Sequence, residues 1–186
     1  MAAAAKLGGV PVGPIPTFED VYEQHVDFAW RCLARLGVRP EGLPDAAQEL
    51  FLVVHRRLPE FQGRSSIKTW LFAIALRVAR RHQRDRRRQP AAAGELATTA
   101  PDPGRTPHES AQRGEAVRLL YSLLDELTTE QREVFVMAEL EELTAPEIAT
   151  LAEMPVNTVY SRLRGARFAF EQALSRARAR DHWRKP

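Results

Sequence analysis

The stretch from residue 89 to residue 114, QPAAAGELATTAPDPGRTPHESAQRG, divides the chain into two parts. Its Pro, Gly, Ala and Thr residues follow no apolar period, which is the composition of a linker. Fully extended, the segment could reach about 85 to 90 Å, and as a flexible coil it would average near 30 Å. We therefore expect two small domains, residues 17–88 and 115–177, joined by a flexible linker at residues 89–114.

Both halves of the chain carry apolar residues at intervals of three and four, the spacing of one helix face. The apolar share of 44% is enough for two small cores. Alternating apolar and polar runs, which would predict strands, are missing from the sequence. The predicted fold class is therefore all-α, with two small helical domains.

Several predicted helices begin with a hydroxyl side chain that can cap backbone N–H groups. Three Thr residues are followed at the third position by an acid or amide, the spacing of a helix start: Thr17 with Asp20, Thr128 with Gln131, and Thr144 with Glu147. Ser66 can cap a further helix, whose inward stripe would be Ile67, Leu71, Ile74 and Val78.

The two ends of the chain are expected to lie outside the domains. Residues 1–16 are interrupted by Gly and Pro, lack the pattern of a signal peptide and predict a disordered tail. Residues 178–186 form a basic C-terminal tail. No stretch approaches the roughly 18 apolar residues of a membrane span, so we expect no membrane insertion.

Cys32 is the only cysteine, so neither an internal disulfide nor a cysteine-rich zinc site can form within one chain. This cysteine content fits a reducing cytoplasm, and the sequence predicts a cytoplasmic protein. The five His residues are scattered without ligand spacing. We expect no metal and no cofactor.

Positive charge is concentrated in two places, although the formal net charge is only +3. Arginines crowd residues 77–88 and 162–185, whereas residues 115–153 are mainly acidic. A solvated charged face would have the same appearance. Only Asp85 offsets the first arginine run, however, and such a density of like charge needs a counter-charge. The pattern therefore favours a polyanionic partner.

The C-terminal half contains the pattern of a helix-turn-helix. A short helix from Thr144 is followed by the turn AEMP and by a long helix that begins PVNTVYSRLRGAR. Val159, Leu163, Ala166 and Phe170 would pack on Ile148 and Leu151. The polar face near the start of the long helix would enter the major groove of DNA. A packed helical hairpin with a basic outer face shows the same pattern.

Three segments, in this order, resemble bacterial sigma factors of the small two-domain extracytoplasmic-function (ECF) group of the sigma-70 family. They are DAAQELFLVVHRRLPEF, SSIKTWLFAIALRVARRHQRDRRR and LTTEQREVFVMAELEELTAPEIATLAEMPVNTVYSRLRGAR. The resemblance spans roughly residues 17–175. It implies a protein that binds core RNA polymerase and directs initiation at promoters by reading the minus-35 duplex and melting the minus-10 element.

The resemblance also implies roles for individual residues. The polymerase-binding residues would be Asp45, Gln48, Glu49 and Leu52. The residues that bind and melt the minus-10 element would be Arg64, Ser65, Lys68, Trp70, Arg77, Arg80, Arg81, Arg84 and Arg88. The minus-35 residues would be Asn157, Thr158, Tyr160, Ser161, Arg162, Arg164 and Arg167. Among these, Tyr160, Ser161 and Arg164 are placed for base edges, and Thr158, Arg162 and Arg167 for phosphates.

The implied partners are promoter DNA, core RNA polymerase through the clamp helices and flap of its large subunits, and an anti-sigma factor. The chain departs from the family pattern at several positions. Arg77 and Arg81 replace the usual Asn and Asp, Glu153 stands where the turn usually has Gly, and Tyr160 and Gly165 replace basic residues. These departures leave the promoter sequence open.

Two other functions compete with this interpretation. A helix-turn-helix regulator that never binds polymerase would explain the C-terminal half, but not the resemblance of residues 45–88 or the Trp70 and arginine face. A metal-dependent nuclease could use Glu139, Glu141 and Glu142. Consecutive acids at a helix end diverge, however, which makes a metal site there a poor fit. We therefore expect a specificity subunit that is not an enzyme.

Overall fold

The computed structural model of the chain describes the backbone of residues 16–88 and 107–184, and the side chains of residues 16–86 and 114–180. These residues form two compact units, one on each side of residue 94. Within the described ranges every regular element is helical, which confirms the all-α class. The expected tail at residues 1–16 lies outside the described residues except for Pro16. Of the linker expected at residues 89–114, residues 89–106 lie outside the described residues, and residues 107–114 are helical instead.

The N-terminal unit is a bundle of three long helices that pack pairwise against one another. The helices are α1 (Phe18–Arg35), α2 (Leu43–Arg57) and α3 (Ile67–Arg88), and short 3₁₀ turns lie at Pro40–Gly42 and Leu58–Glu60. The largest fully buried side chains of its core are Leu33, Leu36, Leu50, Leu71, Phe72 and Leu76. Leu71, Ile74 and Val78 face this core as predicted, and Ile67 is half-buried.

The predicted helix caps are present in the N-terminal unit. Thr17 Oγ1 accepts from the Asp20 backbone N–H at 3.1 Å, and the Asp20 carboxylate accepts from the Thr17 backbone N–H at 3.2 Å. This reciprocal pair is a capping box at the start of α1. Ser66 Oγ accepts from the Thr69 backbone N–H at 3.1 Å, which confirms Ser66 as the cap of α3.

The described part of the C-terminal unit, residues 107–184, contains four α-helices. They are α4 (Pro107–Asp125), α5 (Thr129–Phe135), α6 (Ala145–Ala152) and α7 (Val156–Arg184), and one turn of π-helix, Val136–Leu140, follows α5. We expected the C-terminal domain to begin at residue 115. Helix α4 begins eight residues earlier, at Pro107. Proline fits the first position of a helix because its missing N–H would have no partner there, and Pro107 has that position. The expected basic tail begins inside α7, which continues to Arg184.

The core of the C-terminal unit is formed where α7 crosses α5 and α6. Its fully buried side chains include Val134, Met137, Ile148 and Val159. Both predicted capping boxes are present, at Thr128 and Thr144. Hydrogen bonds from the Thr144 hydroxyl and backbone N–H hold the pKa of the Glu147 carboxyl below its usual value.

The second half of α7 packs on α4. Ala173 and Ala177 are buried against Leu123, and an ion pair of 3.1 Å joins Arg176 Nη2 to Glu126 Oε2. Phe170, which we expected against α6, stacks on Phe135 of α5 with ring centroids 4.6 Å apart. These contacts extend the packing of α7 beyond the helix-turn-helix.

The turn between α6 and α7 requires a left-handed residue. Glu153 has φ 57° and ψ 49°, and the Met154 backbone N–H donates to the Ala149 carbonyl at 3.0 Å. This is the Schellman arrangement, in which glycine is preferred because a Cβ clashes with the backbone in the left-handed region. The sequence departure at Glu153 therefore stores local strain.

We predict that Glu153→Gly is more stable than Glu153→Ala by about 1 kcal/mol, because only the alanine keeps a Cβ at a left-handed position. Both variants lose the glutamate side chain, so their difference isolates the backbone conformation. Urea unfolding followed by circular dichroism measures it. Equal midpoints for the two variants would contradict the assigned turn.

His25 is a buried polar residue in the N-terminal core. Its side chain lies on α1, and its Nδ1 has no hydrogen-bond partner among the described residues. Burial lowers the pKa of His25 below its ordinary value, and the nearby positive charge of Lys68 lowers it further. The folded protein therefore holds this imidazole in its neutral form.

The lowered pKa of His25 makes the folded protein less stable at acidic pH. Below about pH 6.5 the unfolded chain takes up a proton on His25 that the folded protein resists, so stability falls as the pH drops. As the pH falls below about 6.5 we expect His25→Phe to show a shallower loss of unfolding free energy than the wild type, by up to about 1.4 kcal/mol per pH unit. Urea titrations at several pH values measure the slopes, and the exposed His55→Gln serves as the control. Equal slopes for wild type and His25→Phe would refute this role of His25.

Candidate DNA and polymerase interfaces

Helix α7 has one buried face and one exposed polar face at its start. Val159, Leu163 and Ala166 are buried, as predicted. The predicted minus-35 residues fall into two groups by exposure. Asn157, Tyr160, Ser161, Arg164 and Arg167 are exposed, and Thr158 and Arg162 are half-buried. The helix-turn-helix therefore presents an exposed polar surface at the start of α7.

Local contacts orient several side chains of this surface. Ser161 Oγ donates to the Thr158 carbonyl at 3.0 Å, and Arg162 Nη1 lies 3.8 Å from Met154 Sδ in the turn. Arg167 donates to Glu139 Oε1 from Nε at 2.8 Å and from Nη2 at 2.7 Å. Arg167 is thus held on the α5 side of α7 by a glutamate from the π-helical turn.

Gly165 lies where α7 approaches the start of α5. A Cβ at this position would lie 3.3 Å from Gln131 Nε2, which is closer than ordinary van der Waals contact. Gln131 also closes the capping box of α5 by accepting from the Thr128 backbone N–H. A larger residue would push on this cap, and this gives a packing reason for glycine at position 165.

Helix α3 carries the predicted minus-10 residues on the face opposite its core. Arg77, Arg81 and Arg84 are exposed and Arg80 is half-buried. Lys68 and Arg64 are exposed near the start of α3 and in the preceding loop, and Ser65 is half-buried. Arg88 is the last residue of α3, and its side chain lies outside the described residues.

Trp70 is neither buried in the core nor fully exposed. Its ring is half-buried and lies 5.2 Å, between centroids, from that of Phe61 in the loop before α3. The loop ends at the Ser66 cap, and the Trp70 backbone N–H donates to the Ser66 carbonyl at 3.0 Å. Trp70 and Phe61 therefore join the loop to the arginine face of α3.

The predicted polymerase-binding residues do not share one environment. Asp45, Gln48 and Leu52 are exposed on one face of α2, and the side chain of Leu52 is 55% exposed. Glu49 points toward α3, where its carboxylate accepts from Arg81 Nη1 at 2.9 Å and lies 3.2 Å from His82 Nε2. Glu49 thus connects the helix expected to face polymerase with the helix expected to face DNA.

An apolar groove lies beside Leu52, between α1 and α2. It measures about 540 Å³, and its lining includes Phe18, Tyr22, Val26, Trp30, Phe51 and Leu52. Tyr22 and Trp30 are exposed. Sequence reasoning missed this groove, although Phe18, Tyr22, Val26 and Trp30 recur every four residues and form a second apolar stripe on α1.

The acidic residues considered for a nuclease site have different surroundings. Glu139 binds Arg167, and Glu142 lies in the turn before α6 with φ 54°. In the described part of the chain, no three His, Cys, Asp or Glu side chains come together as metal ligands would. No helix within residues 16–88 and 107–184 is long and apolar enough to cross a bilayer.

Two family models match the two units of the chain. The model of sigma-70 region 2 matches residues 21–89, and that of sigma-70 region 4 matches residues 118–167. The RNA polymerase sigma-H factor of Pseudomonas aeruginosa is 32% identical over 141 residues, covering 70% of this chain and 72% of that protein. The chain belongs to the sigma-70 family.

Further relatives place this sigma factor in the ECF group. The ECF RNA polymerase sigma-E factor of Haemophilus influenzae is 30% identical over 145 residues, covering 74% of this chain and 77% of that protein. The sigma-E factor of Escherichia coli strain K12 is 30% identical over 141 residues, with coverages of 71% and 74%. As an ECF sigma factor, the protein binds core RNA polymerase and directs promoter-specific initiation. The presence of both regions disfavours a regulator that does not bind polymerase.

Solved structures share the fold. CnrH, in a complex with the cytosolic domain of CnrY, matches with a TM-score of 0.59 and 24% identity over 85% of this chain and 87% of that chain. The sigma factor RpoE from Bartonella quintana, in a complex with the anti-sigma factor NepR, matches with a TM-score of 0.67 and 17% identity over 85% of this chain and 96% of that chain.

Proposed function

We propose that this sigma factor reads the minus-35 duplex with α7, melts the minus-10 element with α3 and its preceding loop, and binds polymerase through α2 and the groove beside it. One observation carries the proposal. In each unit the longest helix buries one face in its own core and presents an arginine-bearing face to solvent. Sigma factors do no bond-making chemistry of their own, and we assign no catalytic residue.

The first two turns of α7 would supply the minus-35 contacts. Tyr160, Ser161 and Arg164 are exposed where a recognition helix meets base edges. Arg164 can donate two parallel hydrogen bonds to a guanine, whereas the ring of Tyr160 offers apolar contact to a thymine methyl group. Arg167 pairs with Glu139 in the free protein. When that pair opens, Arg167 would contact a phosphate, which positions the helix without reading sequence.

The N-terminal unit would melt the minus-10 element by capturing single-stranded bases. Unstacking costs a few kcal/mol for each base, and the protein supplies no chemical energy. Aromatic stacking and arginine–phosphate contacts can offset this cost. Trp70 and Phe61 line the end of the loop that contains Arg64 and Ser65, and the arginines of α3 continue from there along the strand's path.

The polymerase-binding surface would combine polar and apolar contacts. Asp45 and Gln48 can bind basic side chains of the partner, and Leu52 contributes apolar contact. The exposed Tyr22 and Trp30 extend this surface across the groove, since aromatic residues are enriched at the centres of protein interfaces. We assign the clamp helices of the polymerase as the partner of α2, and the flap as a partner of the C-terminal unit.

An anti-sigma factor is a further proposed partner. The solved structures of CnrH and RpoE are complexes with CnrY and with an anti-sigma factor, respectively. The exposed apolar groove and the exposed Phe168 are surfaces that such an inhibitor could cover in the free protein. A protein that works with RNA polymerase on DNA is placed in the cytoplasm.

We predict that Arg164→Ala weakens binding to the preferred minus-35 duplex by about 1 to 3 kcal/mol and reduces discrimination at one base pair, because a bidentate base contact is lost. Arg178→Ala removes an exposed arginine from a later part of the same helix and is the control for charge alone. Competition binding against single-base variants of the duplex measures both effects. Unchanged discrimination would remove Arg164 from base readout.

We predict that Leu52→Ala and Trp30→Ala each weaken binding to core polymerase by about 1 to 2 kcal/mol, the loss of an apolar interface anchor. Leu119→Ala, an exposed apolar change in the C-terminal unit, is the matched control. Fluorescence anisotropy with labelled protein and purified core enzyme gives the affinities. If Leu52→Ala and Trp30→Ala bind no more weakly than Leu119→Ala, the groove is not part of the polymerase surface.

A further inference from the structure

Glu49 differs from the neighbouring polar residues of α2. Asp45 and Gln48 are exposed, whereas the Glu49 side chain is only 25% exposed and both of its oxygens are engaged within the unit. Oε1 accepts from Arg81 at 2.9 Å, and Oε2 lies 3.2 Å from His82. A polymerase side chain that approaches Glu49 must therefore share it with Arg81.

Arg81 lies between two carboxylates. Its side chain is 62% exposed, so it can reach a ligand in solvent, but it contacts Glu49 and its Nε lies 3.9 Å from Asp85 Oδ2. Negative charge next to a guanidinium weakens its attraction to phosphate, and an arginine that moves onto DNA must give up the geometry of its ion pair. The free protein thus holds this arginine away from a nucleic acid strand.

We propose that Glu49 withholds Arg81 from single-stranded DNA in the free protein, and that polymerase binding to α2 releases Arg81 by drawing on the same carboxylate. The inference rests on the proposed function of α2 as the polymerase-binding helix. Because coupling between two binding sites is reciprocal, single-stranded DNA that binds Arg81 also leaves Glu49 more available to polymerase. Because the ion pair is partly exposed, we expect its loss to change the affinity by about two- to five-fold.

The first test measures binding of a labelled oligothymidine to the full-length protein without polymerase. Glu49→Gln should tighten binding about two- to five-fold, because the carboxylate that competes with the strand is gone. Asp85→Asn should tighten it by less, since its contact with Arg81 is longer. Asp27→Asn removes one exposed negative charge from α1 and controls for the change in net charge.

A double-mutant cycle makes the result specific. In the background of Arg81→Gln, the additional change Glu49→Gln should leave affinity for oligothymidine unaltered. Equal effects of Glu49→Gln and Asp27→Asn, or an effect of Glu49→Gln that persists without Arg81, would overturn the proposal. Thermal unfolding of each variant confirms that its helices are intact.

The second test measures affinity for core polymerase without DNA. Arg81→Gln should bind about two- to five-fold more tightly than the wild type, because Glu49 then loses its ion pair with Arg81 and keeps only the contact with His82. Arg86→Gln removes an exposed arginine from the same helix and is the control. A loss of affinity, or equal behaviour of the two variants, would contradict the coupling. If wild-type protein does not bind core polymerase at all, the assignment of α2 fails instead, whatever the oligothymidine results.

Discussion

Helices α3 and α7 each bury one face in the core of their unit and expose the opposite face. Helix α3 buries Leu71, Ile74 and Val78 in the N-terminal core, and helix α7 buries Val159, Leu163 and Ala166 in the C-terminal core. Burial of one face fixes the direction of the other, so packing inside each unit determines where the arginines point. The same apolar contacts that stabilise the two bundles therefore position the side chains that we propose meet nucleic acid.

In each unit a glutamate forms an ion pair with one of the exposed arginines. Glu49 binds Arg81 in the N-terminal unit, and Glu139 binds Arg167 in the C-terminal unit. Both pairs are partly exposed, so each contributes little to folding stability. Each pair orients its arginine. For Glu49 and Arg81 we propose that the pair also reduces the attraction of the arginine for a phosphate until a partner competes for one member.

The parts of the fold that depend on local chemistry could be predicted from the sequence. A Thr with an acid or amide three residues later satisfies two backbone N–H groups by itself, and all three such pairs form capping boxes. The buried stripes of α3 and α7 followed from helical spacing, and so did the helix-turn-helix. These signals need no knowledge of distant residues.

Features that depend on pairing between helices could not be predicted in this way. Glu49 and Arg81 are far apart in sequence, and nothing local shows that their side chains meet. The stacking of Phe170 on Phe135 has the same origin. The groove beside Leu52 was open to prediction, because the four-residue spacing of its α1 residues is visible in the sequence.

The central claim is that this one chain gives core RNA polymerase its choice of promoter through both units. Transcription from a random promoter library, with purified core enzyme and the full-length protein as the sole sigma factor, tests it most directly. The expected result is enrichment of templates that share two sequence blocks, one for each unit, at a fixed spacing. Transcripts that show no common sequence, or protein that fails to associate with core enzyme, would contradict the claim.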